Sequence, residues 1–131
     1  MLAFDMNFDL DNLTIGFFTL GACFQGKDQI FEAAGYNVCV YKNKIENIHI
    51  NFGTKIPKSL VFTESVIFNG KDCNITVNTS CREIEVIFGA PQEQWEDDYA
   101  KNYRYKFKSH ELEFNWLVDQ VHLEYLSVDR V

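Results

Sequence analysis

The stretch Glu111-Leu112-Glu113-Phe114-Asn115-Trp116 alternates polar and apolar side chains at every position. Successive side chains of a β-strand point to opposite faces of a sheet, so this alternation predicts a strand with one face in the core and the other in solvent. The flanking segments 103–107 and 123–128 are also typical of strands. The second half of the chain therefore predicts an antiparallel strand series.

Working outward, further strands are predicted where β-branched and aromatic residues cluster. These segments are 12–20, 37–41, 45–52, 60–68 and 74–78. Asn69-Gly70-Lys71-Asp72 stands between the last two, and Asn-Gly accepts the positive φ that a tight hairpin requires. The sequence thus predicts a hairpin that turns at Asn69–Asp72.

Two short helices are predicted among the strands. Ser80 and Glu83 have the spacing of a capping box, and an apolar stripe at helical spacing follows as far as Gly89. The segment Lys27–Ala34 shows a similar apolar stripe before Gly35. Each stripe would pack one helix face against the sheet.

These elements predict an α+β fold, in which an antiparallel sheet is backed by two short helices. The length of 131 residues suits a single domain spanning 1–131, with enough chain for one hydrophobic core. Both halves follow the order strand, helix, strands, and their helix-ending glycines, Gly35 and Gly89, lie 54 residues apart. The fold could therefore be a degenerate tandem repeat.

The charge balance bears on the partner. With 19 acidic and 12 basic residues the formal net charge is −7, which disfavours binding to a phosphate backbone. The negative charge favours binding to a basic protein partner, or it serves only to keep the protein soluble. No basic segment starts the chain and no apolar stretch approaches the ~20 residues of a membrane span, so we expect a cytoplasmic protein that binds neither nucleic acid nor membrane.

Catalytic and cofactor motifs are absent from the sequence pattern. His49, His110 and His122 form no metal-ligand spacing with one another or with cysteines, and no glycine-rich phosphate loop is present. We predict no cofactor, no metal and no catalytic residues. One alternative stays open, a cysteine-dependent enzyme in which Cys23 or Cys81 pairs with a histidine from a distant position.

The acidic excess is concentrated in one segment. Between Glu83 and Asp98 there are six acidic residues and no basic one, interleaved with two aromatic residues. Exposed aromatic side chains rimmed by acids would anchor a basic protein partner, whereas the alternative is an ordinary loop with its aromatics folded back onto the sheet. The predicted partner-binding residues are Glu93, Trp95, Glu96, Asp97, Asp98 and Tyr99.

Several motifs in the second half carry a family resemblance. The resemblance lies in Phe88-Gly89-Ala90-Pro91, an acidic spacer, Tyr103-Arg104-Tyr105 and the strands 111–116 and 123–128. Through these motifs the second half resembles small cytosolic immunity proteins of bacterial polymorphic-toxin and type VI secretion effector systems. The layout is also similar to the repeats of β-lactamase inhibitor proteins and outer-membrane assembly lipoproteins, which are exported.

The immunity resemblance implies a function. Such a protein would bind its cognate toxin and block or distort the active site, with the acidic residues facing a basic toxin surface. The alternative within the class of binding proteins is an adaptor or chaperone-type protein for a secreted effector.

Overall fold

The computed structural model describes residues 7–53, 60–119 and 121–131. Within these ranges twelve strands and one α-helix form two sheets and a short helical layer. The elements in chain order are β1 (Phe8–Asp9), β2 (Thr14–Ile15), β3 (Phe18–Thr19), β4 (Gln29–Ala33), β5 (Tyr36–Tyr41), β6 (Lys44–Asn51), β7 (Val66–Phe68), β8 (Lys71–Asp72), α1 (Cys81–Phe88), β9 (Glu93–Glu96), β10 (Ala100–Lys106), β11 (His110–Leu117) and β12 (Leu123–Arg130).

The larger sheet has seven antiparallel strands in the order β4-β5-β6-β12-β11-β10-β9. Its strands alternate inward and outward side chains as the sequence predicts. One register row crosses five strands and is buried throughout; it contains Val38, Ile48, Val128, Leu112 and Tyr105. This row marks the core face of the sheet.

The helix α1 packs against that core face, and its capping box is confirmed. The Ser80 hydroxyl accepts a hydrogen bond from the Glu83 N–H at 3.2 Å, and the Glu83 carboxylate accepts one from the Ser80 N–H at 3.3 Å. The Phe88 ring lies 5.3 Å from the Phe114 ring. Within the described part of the chain, no helix has the length and apolar character that a membrane span requires.

A smaller sheet, in the order β3-β2-β1-β7-β8, covers the rest of the core face. Its predicted turn is confirmed at Asn69 and Gly70, which have φ values of 53° and 72° and connect β7 to β8. Lys71 and Asp72, predicted as part of the turn, instead form β8. The Asp11 carboxylate accepts the N–H groups of Asn69 and Gly70, at 2.8 and 2.7 Å, and so ties this hairpin to the segment that follows β1. Aromatic rings join the two sheets, with Phe18 and Phe31 5.3 Å apart.

The prediction of a helix at Lys27–Ala34 is wrong. This segment contains β4, an outer strand of the larger sheet, in which Ile30 is 62% exposed while Phe31 packs inward on the opposite face. Three apolar residues within eight positions are compatible with a helix and with a strand. The antiparallel pairing with β5 makes this segment a strand. Gly35 forms the turn between β4 and β5 with φ of 86°.

The predicted α+β class, with two helices backing one sheet, is consequently wrong as well. Of the residues that the structure describes, 49% lie in strands, which form two sheets, and one short helix is present among them, so the protein is mostly β. Because residues 7–53 contain no helix, the tandem strand-helix-strands repeat also fails. The strands predicted at 12–20 and 60–68 are only partly present, because β2, β3 and β7 are two or three residues long. The strand predicted at 74–78 is wrong: these residues lie outside any strand, and the partner of β7 is instead β8 at Lys71–Asp72.

Candidate functional site

The predicted partner-binding residues occupy the β9–β10 hairpin at the edge of the larger sheet. Every residue from 92 to 99 is exposed, including all four residues of β9. Tyr99 is 78% exposed and Trp95 is 41% exposed. The hairpin therefore exposes two aromatic side chains and several carboxylates to solvent.

Asp97 has a structural role in this hairpin. Its carboxylate oxygen accepts the N–H groups of Tyr99 and Ala100 at 2.8 and 2.9 Å, and its own N–H donates to the Ala100 carbonyl at 3.0 Å. The two backbone hydrogen bonds lower the pKa of the Asp97 carboxyl. A charged Asp97 thus fixes the turn from which Tyr99 projects.

Glu93 is tied to neighbouring basic side chains. Its carboxylate lies 2.6 Å from the Lys106 ammonium and 4.0 Å from the Arg104 guanidinium. The hydrogen bond from Lys106 is the main cause of the lowered pKa of Glu93. The negative charge that Glu93 could offer to a partner is therefore partly neutralised within the sheet edge itself.

Trp95 is held by Arg104 from the adjacent strand. The guanidinium carbon lies 5.0 Å from the centre of the indole ring, a cation–π contact. The same guanidinium donates to Glu113 at 2.8 Å and lies 3.9 Å from Glu111. One face of the indole is therefore occupied, and the ring is fixed at the sheet edge.

The outer face of the larger sheet, opposite the core, is polar on β6, β11 and β12. The Tyr125 hydroxyl donates to Glu113 at 2.6 Å, and the His49 ring lies 4.7 Å from the Tyr125 ring. Desolvation is the main cause of the lowered pKa of His49 and of the raised pKa of Tyr125. Both side chains are thus neutral at pH 7 within a network that also includes Arg104.

The structure places the two cysteines of the cysteine-enzyme alternative differently, with Cys23 exposed and Cys81 buried. Cys81 is buried at the start of α1, and burial raises the pKa of its thiol, which disfavours the nucleophilic thiolate. All four cysteines are free. No cluster of three or more metal-binding side chains occurs within residues 7–53, 60–119 and 121–131.

The structure also brings a second turn beside the predicted residues. Ala100 of β10 pairs with Leu117 of β11, so the β11–β12 turn lies next to the β9–β10 turn. In it, Val118 is 59% exposed and Val121 is 49% exposed. The sequence interpretation missed these valines, although Asp119-x-Val121 repeats the pattern of Asp97-x-Tyr99 and could have indicated a similar turn.

The role of Asp97 predicts a pH dependence. Because its pKa is lower in the folded than in the unfolded chain, its contribution to stability is present above about pH 4 and is lost as the pH falls through the folded pKa. Asp97→Asn keeps an oxygen acceptor but not the charge. We expect it to be less stable than the wild type at pH 7, with the difference shrinking towards pH 3 in urea unfolding.

The neighbouring change Asp98→Asn serves as the control for this measurement. It removes one charge from the same turn without touching the acceptor that holds the Tyr99 and Ala100 N–H groups. A stability difference for Asp97→Asn that stayed constant from pH 7 to pH 3 would contradict the charged role of Asp97.

Comparison with known proteins found no similar family or curated sequence, but it did find a similar solved structure. No protein-family model matches the chain, and no curated protein sequence matches it. Among solved structures, the chain is similar to a DUF4309 family protein (YjgB) from Bacillus subtilis subsp. subtilis str. 168, with a TM-score of 0.47 and 17% sequence identity. The similarity covers 87% of this chain and 73% of that chain.

Proposed function

We propose that this protein is a cytoplasmic immunity protein that binds and neutralises a cognate bacterial toxin through the β9–β10 hairpin. The toxin would present a basic surface to the hairpin. The action is binding alone, without catalysis by this chain and without a cofactor.

One observation carries the proposal, namely that the hairpin exposes two aromatic side chains among carboxylates. Trp95 and Tyr99 are 41% and 78% exposed, and Glu96 and Asp98, their neighbours in the sequence, are exposed as well. Aromatic residues are enriched among interface residues that dominate binding, and complementary charge speeds encounter. Their fixed positions, through Arg104 and the Asp97 turn, reduce the ordering cost of association. The resemblance to immunity proteins supplies the type of partner.

The proposal predicts that a gene beside the one for this chain encodes an effector with a C-terminal toxin domain, and the test uses that domain. Co-expression of the wild-type chain should restore growth of cells that make this toxin. Glu96→Lys/Asp98→Lys should weaken binding roughly 100-fold, because like charges brought together at an interface cost several kcal/mol. Titration calorimetry of the purified proteins measures the affinity, and Asp97 is left unchanged so that the turn persists.

The matched control is Glu32→Lys/Glu64→Lys, which makes the same change in charge at exposed positions outside the hairpin. It should bind like the wild type. Equal affinity of both double variants would exclude the hairpin as the interface. Failure of the folded wild-type chain to restore growth would overturn the immunity function.

The same experiment separates the alternatives. An adaptor or chaperone-type protein would bind the effector and leave its toxicity intact. A cysteine-dependent enzyme would lose the rescue when Cys23 or Cys81 is changed to serine, whereas a binding protein with an intact fold would keep it.

A further inference from the structure

The β9–β10 and β11–β12 turns lie side by side at one end of the larger sheet. Ala100 pairs with Leu117, and adjacent strands are about 4.8 Å apart, so the residues that follow Leu117 face those that precede Ala100. The β11–β12 hairpin closes through the hydrogen bond from the Leu117 N–H to the His122 carbonyl at 3.0 Å. The two turns are thus neighbours in space although they are some 20 residues apart in sequence.

Both turns use the same local device. Asp97 accepts the N–H groups two and three positions later, and Asp119 does likewise with Val121 and His122 at 3.0 and 3.1 Å. The His122 ring also pairs with the Asp119 carboxylate. Each aspartate fixes the backbone of its turn, and the side chain two positions later, Tyr99 or Val121, projects into solvent.

The side chains exposed at this end form what we term the tip surface. It consists of Glu96, Asp98, Tyr99, Val118, Asp119 and Val121. Three of the six are apolar or aromatic and three are acidic. Apolar side chains that are grouped, exposed and rimmed by polar residues are typical of an interaction site.

We propose that the tip surface is a single docking site for a protein surface that carries an apolar patch ringed by lysine or arginine. Tyr99, Val118 and Val121 would contact the patch, and the carboxylates would pair with the basic ring. This inference rests on the proposed function and extends it, since it adds the β11–β12 turn to the interface and specifies the partner's surface.

Charge selects this occupant over others. A second copy of the chain would bring its own Glu96, Asp98 and Asp119 against the same three carboxylates, and like charges in contact are unfavourable. Anionic lipid and nucleic acid are repelled for the same reason. A basic protein surface gains from both the carboxylates and the apolar centre.

The test works with random peptides in place of an identified partner. A phage library of random dodecapeptides is panned against the full chain, and the most enriched peptide is synthesised. We expect enriched peptides to combine Lys or Arg with leucine or aromatic residues. In ¹⁵N-resolved NMR titrations the peptide should shift the amide signals of Tyr99, Val118 and Val121 together.

Val118→Ser/Val121→Ser removes the apolar centre without changing the charge. This double variant should lower the affinity for the peptide about tenfold or more, since burying a valine side chain contributes appreciably to association. The matched control Val86→Ser/Val131→Ser alters two exposed valines elsewhere, which are 83% and 71% exposed, and should bind like the wild type.

Three outcomes would overturn the tip surface. They are a library without enrichment, a peptide that shifts Tyr99 but neither valine, and equal affinities of the two double variants. Binding to phosphatidylcholine vesicles that disappears in Val118→Ser/Val121→Ser would assign the surface to a membrane instead.

The toxin assay separates this inference from the proposed function. If neutralisation requires Glu96 and Asp98 but not Val118 and Val121, the function stands and the extended surface fails. If the peptide binds as expected while the chain never restores growth, the surface stands and the immunity function fails.

Discussion

Truncation of Trp116 to alanine is expected to lower the free energy of unfolding by about 4 kcal/mol, in the range of large-to-small substitutions in protein cores. Trp116 is fully buried, and its ring packs 5.0 Å from the ring of Tyr103. Its indole N–H donates to the Thr79 carbonyl at 2.8 Å and anchors the segment before α1 to the sheet. Urea unfolding followed by circular dichroism measures the change.

Trp116→Phe is the matched control, because it keeps an aromatic ring but removes the indole donor. The Thr79 carbonyl loses its partner, so we expect a smaller loss of about 2 kcal/mol. Equal losses for both variants would mean that the hydrogen bond, and not the ring packing, dominates the effect of Trp116.

Replacement of Gly35 by alanine is expected to destabilise the protein by about 3 kcal/mol or more, the sum of a positive-φ penalty and overpacking. A methyl group on Gly35 would overlap the backbone of Phe62 and lie 2.7 Å from the carbonyl carbon of Val61. This backbone passes close because Asn51 links the two segments, donating to Gly35 and accepting from Phe62. Thermal unfolding and urea unfolding both report the loss.

Gly70→Ala separates the two contributions. Gly70 has a similar positive φ of 72°, but no atom lies within 4 Å of the added methyl group. We expect a loss of about 1 kcal/mol, from backbone conformation alone. If Gly35→Ala were no worse than Gly70→Ala, the close approach of the Phe62 backbone would not be limiting stability.

Gly35 also explains why part of the fold could be predicted and part could not. Alternation at 111–116 and the capping box at Ser80 are local signals, and the structure confirms both. The role of Gly35 depends on Phe62, which is distant in the sequence. A glycine after an apolar stripe looks alike at a helix end and at a hairpin turn, so only the tertiary contact distinguishes them.

The candidate site also has features that the local sequence predicts and features that depend on tertiary contacts. The composition of 93–99 was visible in the sequence, and these residues are exposed at the sheet edge. Their strand character was missed, because the pairing of β9 with β10 and the contact between Trp95 and Arg104 join separate segments. The proximity of Val118 and Val121 to Tyr99 follows from strand order, which no local pattern specifies.

The position of β12 has a consequence for biosynthesis. This strand lies between β6 and β11 in the sheet, yet it is translated after both. Until β12 is inserted, the β4–β6 and β9–β11 blocks each have an unpaired edge strand. Ile48 in β6 and Phe114 in β11 then lack their pairing partners in β12. Nascent chains stalled before Leu123 should therefore depend on holdase chaperones for protection from aggregation, and this need should end once β12 joins the two blocks.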